Sequence, residues 1–169
     1  VKAQVFPRLQ LGVRWIGKEW QFVASNVGVG PADIRRIRLT VDGQRMTSWF
    51  AAEKALMSGG PTDIGAIGET LTMVPGGATI APFTVGDREI ARMMFVERSR
   101  LGVELCYCST LGDCWTVAGS GVENGLPAPA QDCAPDGVRF QKFDEKALEE
   151  YMHSLALPDG GAAHDAGNE

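Results

Sequence analysis

The sequence predicts an antiparallel β-sandwich with two or three short helices in its connections. Three observations carry this reading. Apolar and polar residues alternate in several short runs bounded by Gly/Pro turns. Helix-forming stretches occur only as brief interruptions of those runs. Four cysteines fall where strand geometry can pair them. Roughly seven or eight strands in one domain fit a chain of 169 residues.

The elements follow in order. Leu9, Leu11, Val13 and Trp15 alternate with polar residues and glycine, so 9–15 reads as a half-buried strand. Residues 16–19 turn the chain, and Trp20, Phe22 and Ala24 return as the second arm of a hairpin, with Trp20 toward an edge. Asn26-Val-Gly-Val-Gly-Pro-Ala32 is a dense turn signal. Ile37, Leu39 and Val41 alternate again and end at Asp42-Gly43, a strong turn dipeptide. Ile34 breaks the parity of that strand and predicts a bulge near its start.

Ser48 then caps a helix over 49–57, an insertion near 48–58, which can bury only one face. Leu71 and Met73 are expected to pair with a strand over 79–85 across Pro75-Gly76-Gly77. Asp87 caps a second helix over 88–99. A strand over 138–143 and a C-terminal helix near 144–155 complete the β-sandwich domain, 1–157. The Gly/Ala-rich stretch 158–169 reads as a disordered tail.

The cysteines fix a register. In the strand 102–109, Val103, Leu105 and Tyr107 face one way, and Glu104, Cys106 and Cys108 the other. Leu111-Gly112-Asp113 turns the chain. If Cys108 stands opposite Cys114, Tyr107 meets Trp115 and Leu105 meets Val117 on the apolar face. Cys106 is then left to Cys133. In the chain-entropy model the hairpin bridge contributes roughly 2 kcal/mol and the longer one roughly 3–4 kcal/mol. A four-thiolate metal site and redox-active thiols are the competing readings. Zinc sites favour C-x-x-C knuckles, which this spacing lacks, and no adjacent Lys or His is present to activate a thiol. The expected core is Leu11, Val13, Phe22, Ile37, Leu39, Val41, Val103, Leu105, Tyr107, Trp115 and Val117, with Trp15 also on an apolar face.

No convergent catalytic set is legible, and no cofactor or metal is expected. The two histidines, His153 and His164, fall in the last helix and the tail. Asp42, Asp87, Asp113 and Asp144 sit at turns or caps, where short carboxylates have local work. Gly28-x-Gly30-Pro31 lacks the third glycine and the helix of a phosphate loop and reads as a tight turn. A net charge of −5 argues against nucleic acid as a partner, and Arg35, Arg36 and Arg38 read as a solvated face. Disulfides imply a periplasmic or extracellular setting. The chain opens on Val1 rather than Met, so a signal peptide or anchor helix is expected to precede it. Trp49 and Phe50, at the start of the inserted helix, are the candidate contact surface.

Two strings, Asn26-Val-Gly-Val-Gly-Pro-Ala32 and Cys106-Tyr-Cys-Ser-Thr-Leu-Gly-Asp-Cys-Trp115, resemble those of uncharacterised bacterial envelope proteins. These place an immunoglobulin-like ectodomain after one N-terminal transmembrane helix. The opening segment Val5-Phe-Pro-Arg-Leu-Gln-Leu11 is similar to their junction between anchor and first strand. The resemblance spans roughly 5–143 and implies an immunoglobulin-like fold on the outer side of a bacterial inner membrane. It implies no activity. The resulting expectation is a non-catalytic binding module, its partner an unknown protein or small ligand, that meets the membrane only through a segment outside this chain. The alternatives are a thiol–disulfide exchange or metal-handling protein using Cys106, Cys108, Cys114 and Cys133, and a sensor ectodomain.

Overall fold

The computed structural model describes residues 6–58, 73–120 and 124–137, together with 140, 149 and 153. In chain order its strands are β1 (Leu9–Ile16), β2 (Glu19–Asn26), β3 (Ala32–Val41), β4 (Gln44–Met46), β5 (Met73–Val74) and β6 (Thr79–Val85). They continue with β7 (Leu101–Cys108), β8 (Cys114–Ser120) and β9 (Ala128–Ala130). Helix α1 (Trp49–Leu56) lies between β4 and β5, and α2 (Arg88–Glu97) between β6 and β7.

The strands make two antiparallel sheets. One has the order β1-β2-β6. The other has the order β4-β3-β7-β8-β9, with β5 also pairing to β3. Inward side chains of both sheets, with the buried faces of both helices, form one apolar core. Every residue of the expected core belongs to it or packs against it, with Val13, Ile37 and Trp115 only half-buried.

Local sequence chemistry accounts for the connections. Asp42 and Gly43 both adopt positive φ, 51° and 78°, as the tight β3–β4 hairpin demands. The register of β3 against β7 shifts between Ile34 and Arg36, the bulge that the parity break predicts. Ser48 Oγ accepts from the Ala51 amide at 3.0 Å and starts α1. Asp87 Oδ1 accepts from the Glu89 and Ile90 amides, both at 2.9 Å, and starts α2. That helix ends at Glu97 and tightens into a 3-10 turn over Arg98–Arg100.

Several expectations are corrected. β5 and β6 do not pair with each other. The Pro75–Gly77 turn carries the chain from one sheet to the other, so β5 pairs with β3 and β6 with β2. Trp20 is not at an edge. It lies on the central strand of its sheet, fully buried, with its ring 6.2 Å from Phe83. Trp15 faces inward by parity but sits at the hairpin end, where the core has run out. It is 41% exposed and leans on Phe95 of α2.

Trp49 is not an exposed contact anchor. α1 turns it into the core, where it stacks on Phe83 with centroids 5.0 Å apart and planes 11° apart. Phe22 and Phe140 complete its surroundings. Phe50 is half-buried. The loop after α1, most of the strand at 138–143, most of the helix at 144–155, and the tail lie outside the described residues. Of the C-terminal helix only Glu149 and His153 are described, both helical and exposed.

Candidate functional site: the cysteine face and an aromatic cleft

The outer face of the larger sheet carries the cysteines. β7 pairs with β8 in the register Cys108↔Cys114, Tyr107↔Trp115 and Leu105↔Val117. The bridges are Cys108–Cys114, with Cα atoms 4.0 Å apart, and Cys106–Cys133, at 5.5 Å. Both pairings follow the strand parity. The four cysteines are buried together, with Ala130 packed against them. No cysteine is free.

The Cys106–Cys133 bridge lays the segment after β9 across this face, and ion pairs secure it. Arg36 donates to the Ala134 carbonyl at 2.8 Å. Arg38 reaches Asp136 at 2.6 Å and Glu104 at 3.0 Å, and Arg45 reaches Asp136 at 2.8 Å. The hydrogen bond from Arg38 is the main reason the Asp136 carboxyl titrates well below the usual carboxylate range. Arg36 and Arg38 are therefore paired groups under a covering segment, not a solvated face. Arg35 remains on the surface with Asp33 at 3.0 Å.

The inner side of the same strand end opens into a cleft. Tyr107 and Trp115 stack at 5.8 Å, and Phe6 meets the Trp115 ring edge-on at 5.5 Å. Pro7, Arg8, Val29, Leu126 and Pro127 add the walls of a hollow of about 650 Å³. Val29 and Leu126 stand on its rim, 75% and 77% exposed. Arg8 makes no ion pair among the described residues. Burial pushes the Tyr107 phenol up, while its bond from the Leu9 amide and nearby Arg8 pull the other way.

Asn26 holds this end together. Its buried side chain accepts from the Arg8 and Gly28 amides, both at 3.0 Å. It donates to the Gly30 and Val74 carbonyls at 2.8 and 2.9 Å. All four hydrogen-bonding positions of the amide are thereby used. A Cβ on Gly28 would come within 2.3 Å of the Phe6 carbonyl oxygen, so only glycine permits that approach. The Asn-Gly string is thus the scaffold of the cleft. Its sequence signal was a turn; the burial of Asn26 was not legible. Phe6, Leu126 and Pro127 gave no signal as a group, because they meet only through the β1 and β8 ends.

The predicted contact pair Trp49 and Phe50 is not part of this cleft. Comparison with protein-family models, with curated proteins and with solved structures returned no match. The two disulfides are compatible with an oxidising, exported environment. Among the described residues, no helix is long and apolar enough to cross a membrane.

Proposed function

We propose that this chain is a non-catalytic, exported, immunoglobulin-like interaction module, the ectodomain of a membrane-anchored protein, that takes an extended peptide segment of a partner protein into the Phe6–Trp115 cleft. The strand order supports the immunoglobulin-like assignment. Strands β1, β2 and β6 correspond to A, B and E, and β4, β3, β7 and β8 to C′, C, F and G. Two features depart from the pattern: β5 pairs with β3, and the disulfides lie on one sheet rather than between sheets.

The observation that carries the binding role is the cleft itself. It combines a tryptophan, a phenylalanine and two prolines with exposed apolar rims on separate loops. Scattered exposed apolar residues are ordinary, but a concave aromatic group with a cation beside it that makes no ion pair among the described residues supports a recognition role. Aromatic and proline walls suit an extended, proline-containing segment, and Arg8 suits an acidic residue beside it.

Panning the purified domain against a random linear peptide library tests this. Selected peptides should combine proline or aromatic residues with Asp or Glu. Their binding should fall at least about tenfold in Leu126→Asp and in Arg8→Glu, which alter exposed rim positions. Failure to enrich peptides, or binding unchanged in both variants, overturns the cleft assignment. Turnover on a hydrolase panel that a cleft substitution abolishes would overturn the non-catalytic one.

A further inference from the structure

The two disulfides are in contact with each other. Cys108 Sγ lies 3.7 Å from Cys133 Sγ, although each belongs to a different bridge. The Sγ atoms of Cys108, Cys114 and Cys133 all lie within 4.8 Å of one another. Cys106 and Cys108 are fully buried, while Cys114 and Cys133 retain 8% and 7% exposure. Each bridge thus pairs one fully buried cysteine with one that keeps a small residual exposure.

We propose that these bridges form an internal thiol–disulfide relay whose two-electron-reduced state carries a new bond, Cys108–Cys133. The electrons come from an external dithiol. It attacks Cys114 Sγ, its second thiol resolves the mixed disulfide, and Cys108 and Cys114 are left as thiols. The Cys108 thiolate then attacks Cys133 Sγ. The Cys108–Cys133 bond forms, the Cys106–Cys133 bond breaks, and Cys106 leaves as the thiolate and takes up a proton. Attack at Cys133 instead reaches the same state. Cys106 leaves first, the freed Cys133 thiolate attacks Cys108, and Cys114 leaves. Either opening consumes one dithiol and yields free Cys106 and Cys114.

The exchange has a structural consequence. Cys106 and Cys108 are two residues apart on one face of β7, positions about 7 Å apart along the strand, and the exchange transfers the segment's attachment from the first to the second. The segment that follows carries Asp136 and the Ala134 carbonyl, the partners of Arg38 and Arg36. Transferring its anchor shifts both relative to those arginines. The relay thus turns a redox change into a displacement on the outer face of the sheet. It stands independently of the cleft on the inner side.

Partial reduction with limiting dithiothreitol, acid quenching, alkylation and peptide mapping reads the two-thiol state. Label on Cys106 and Cys114, with a Cys108–Cys133 linked peptide, is the expected result. Label on Cys108 and Cys114, with Cys106–Cys133 intact, overturns the proposal. Should reduction run through to four thiols without a two-thiol species, the Cys114→Ser variant decides, since it needs no reductant. Its three cysteines should redistribute so that Cys106 takes label at the expense of Cys108, faster at higher pH because the thiolate is the attacking species. Label confined to Cys108 in that variant overturns the relay.

Discussion

The Tyr107 hydroxyl accepts a hydrogen bond from the Leu9 amide at 3.2 Å, joining two residues 98 positions apart on different sheets. Tyr107 and Leu9 are both fully buried, so the bond lies within the core. It also fixes the ring that forms the floor of the cleft, because Tyr107 stacks on Trp115.

Tyr107→Phe keeps the ring and removes the acceptor. The buried Leu9 amide then loses this partner, which costs about 1–3 kcal/mol. Urea denaturation should show a lower midpoint with an unchanged slope. The alkaline limb carries a second signature. The folded phenol titrates above its unfolded value near ~10, so its contribution is complete below that pH and is lost as pH rises toward the folded value. The Phe variant should lack that part of the alkaline loss.

Trp49 gives the second prediction. Its indole stacks on Phe83 and touches Phe22, both on the three-stranded sheet, while α1 carries it from the chain after β4. Trp49→Ala should cost about 3–5 kcal/mol by thermal or chemical unfolding. For the same reason, replacing 48–60 by a short Gly/Ser linker should abolish cooperative melting. Retention of a cooperative transition in the deletion would show that α1 is dispensable for the sandwich.

The third prediction concerns the loop that scaffolds the cleft. Asn26→Ala leaves two amides and two carbonyls without their partner, at a cost of about 3–5 kcal/mol. Gly28→Ala leaves the Asn26 side chain present but sets a methyl 2.3 Å from the Phe6 carbonyl oxygen and 2.6 Å from the Arg8 amide nitrogen, so the backbone at Phe6–Arg8 must shift. It should therefore shift the Phe6–Trp115 packing, read as a change in Trp115 emission, before the fold is lost. Ala substituted at Gly12, whose nearest neighbour would be Val23 Cγ2 at 3.6 Å, is the matched control.

Much of this architecture was readable because strands obey a strict period of two. With Cys108 set opposite Cys114, parity aligned Tyr107 with Trp115 and Leu105 with Val117, and it located the bulge after Ile34. Helix starts were equally local, since Ser48 and Asp87 act within three residues of themselves. What parity cannot give is which strands become neighbours across a turn. A turn signal at Pro75–Gly77 looks the same whether the chain stays in one sheet or changes sheets, so β5 and β6 were paired with each other. Trp49 was read by its position at a helix start, whereas its burial depends on which helix face meets Phe83, a tertiary fact. The arginines at 36 and 38 gave a polar stripe; that Asp136 would cover it follows only once Cys133 is tied down. The cleft has the same origin, since its walls come from the segment before β1, the β2–β3 loop, β8 and the β8–β9 connection.

The last prediction concerns that covering segment in acid. Asp136 accepts from Arg38 at 2.6 Å and lies near Arg45 at 2.8 Å, and its carboxyl is held below the ordinary range chiefly by the Arg38 bond. A depressed folded value means the contribution is complete above the unfolded Asp value of ~3.9 and is lost as pH falls toward the folded value. Wild type should thus lose stability below about pH 4. Asp136→Asn removes the charge at every pH, so it should be less stable than wild type at neutral pH, and the gap should close as the wild-type carboxyl protonates. Asp42 shares this window, its carboxyl lowered by its hydrogen bond from Arg100, so Asp42→Asn is measured in parallel. Urea midpoints from neutral pH to about pH 2 separate the two sites by their individual gaps. A neutral-pH gap for Asp136→Asn that persists undiminished in strong acid would mean that Asp136 contributes through packing rather than charge. In that case the disulfide, the packing of Asp136 and the Arg36–Ala134 hydrogen bond, not the Asp136 charge, hold the segment on the sheet.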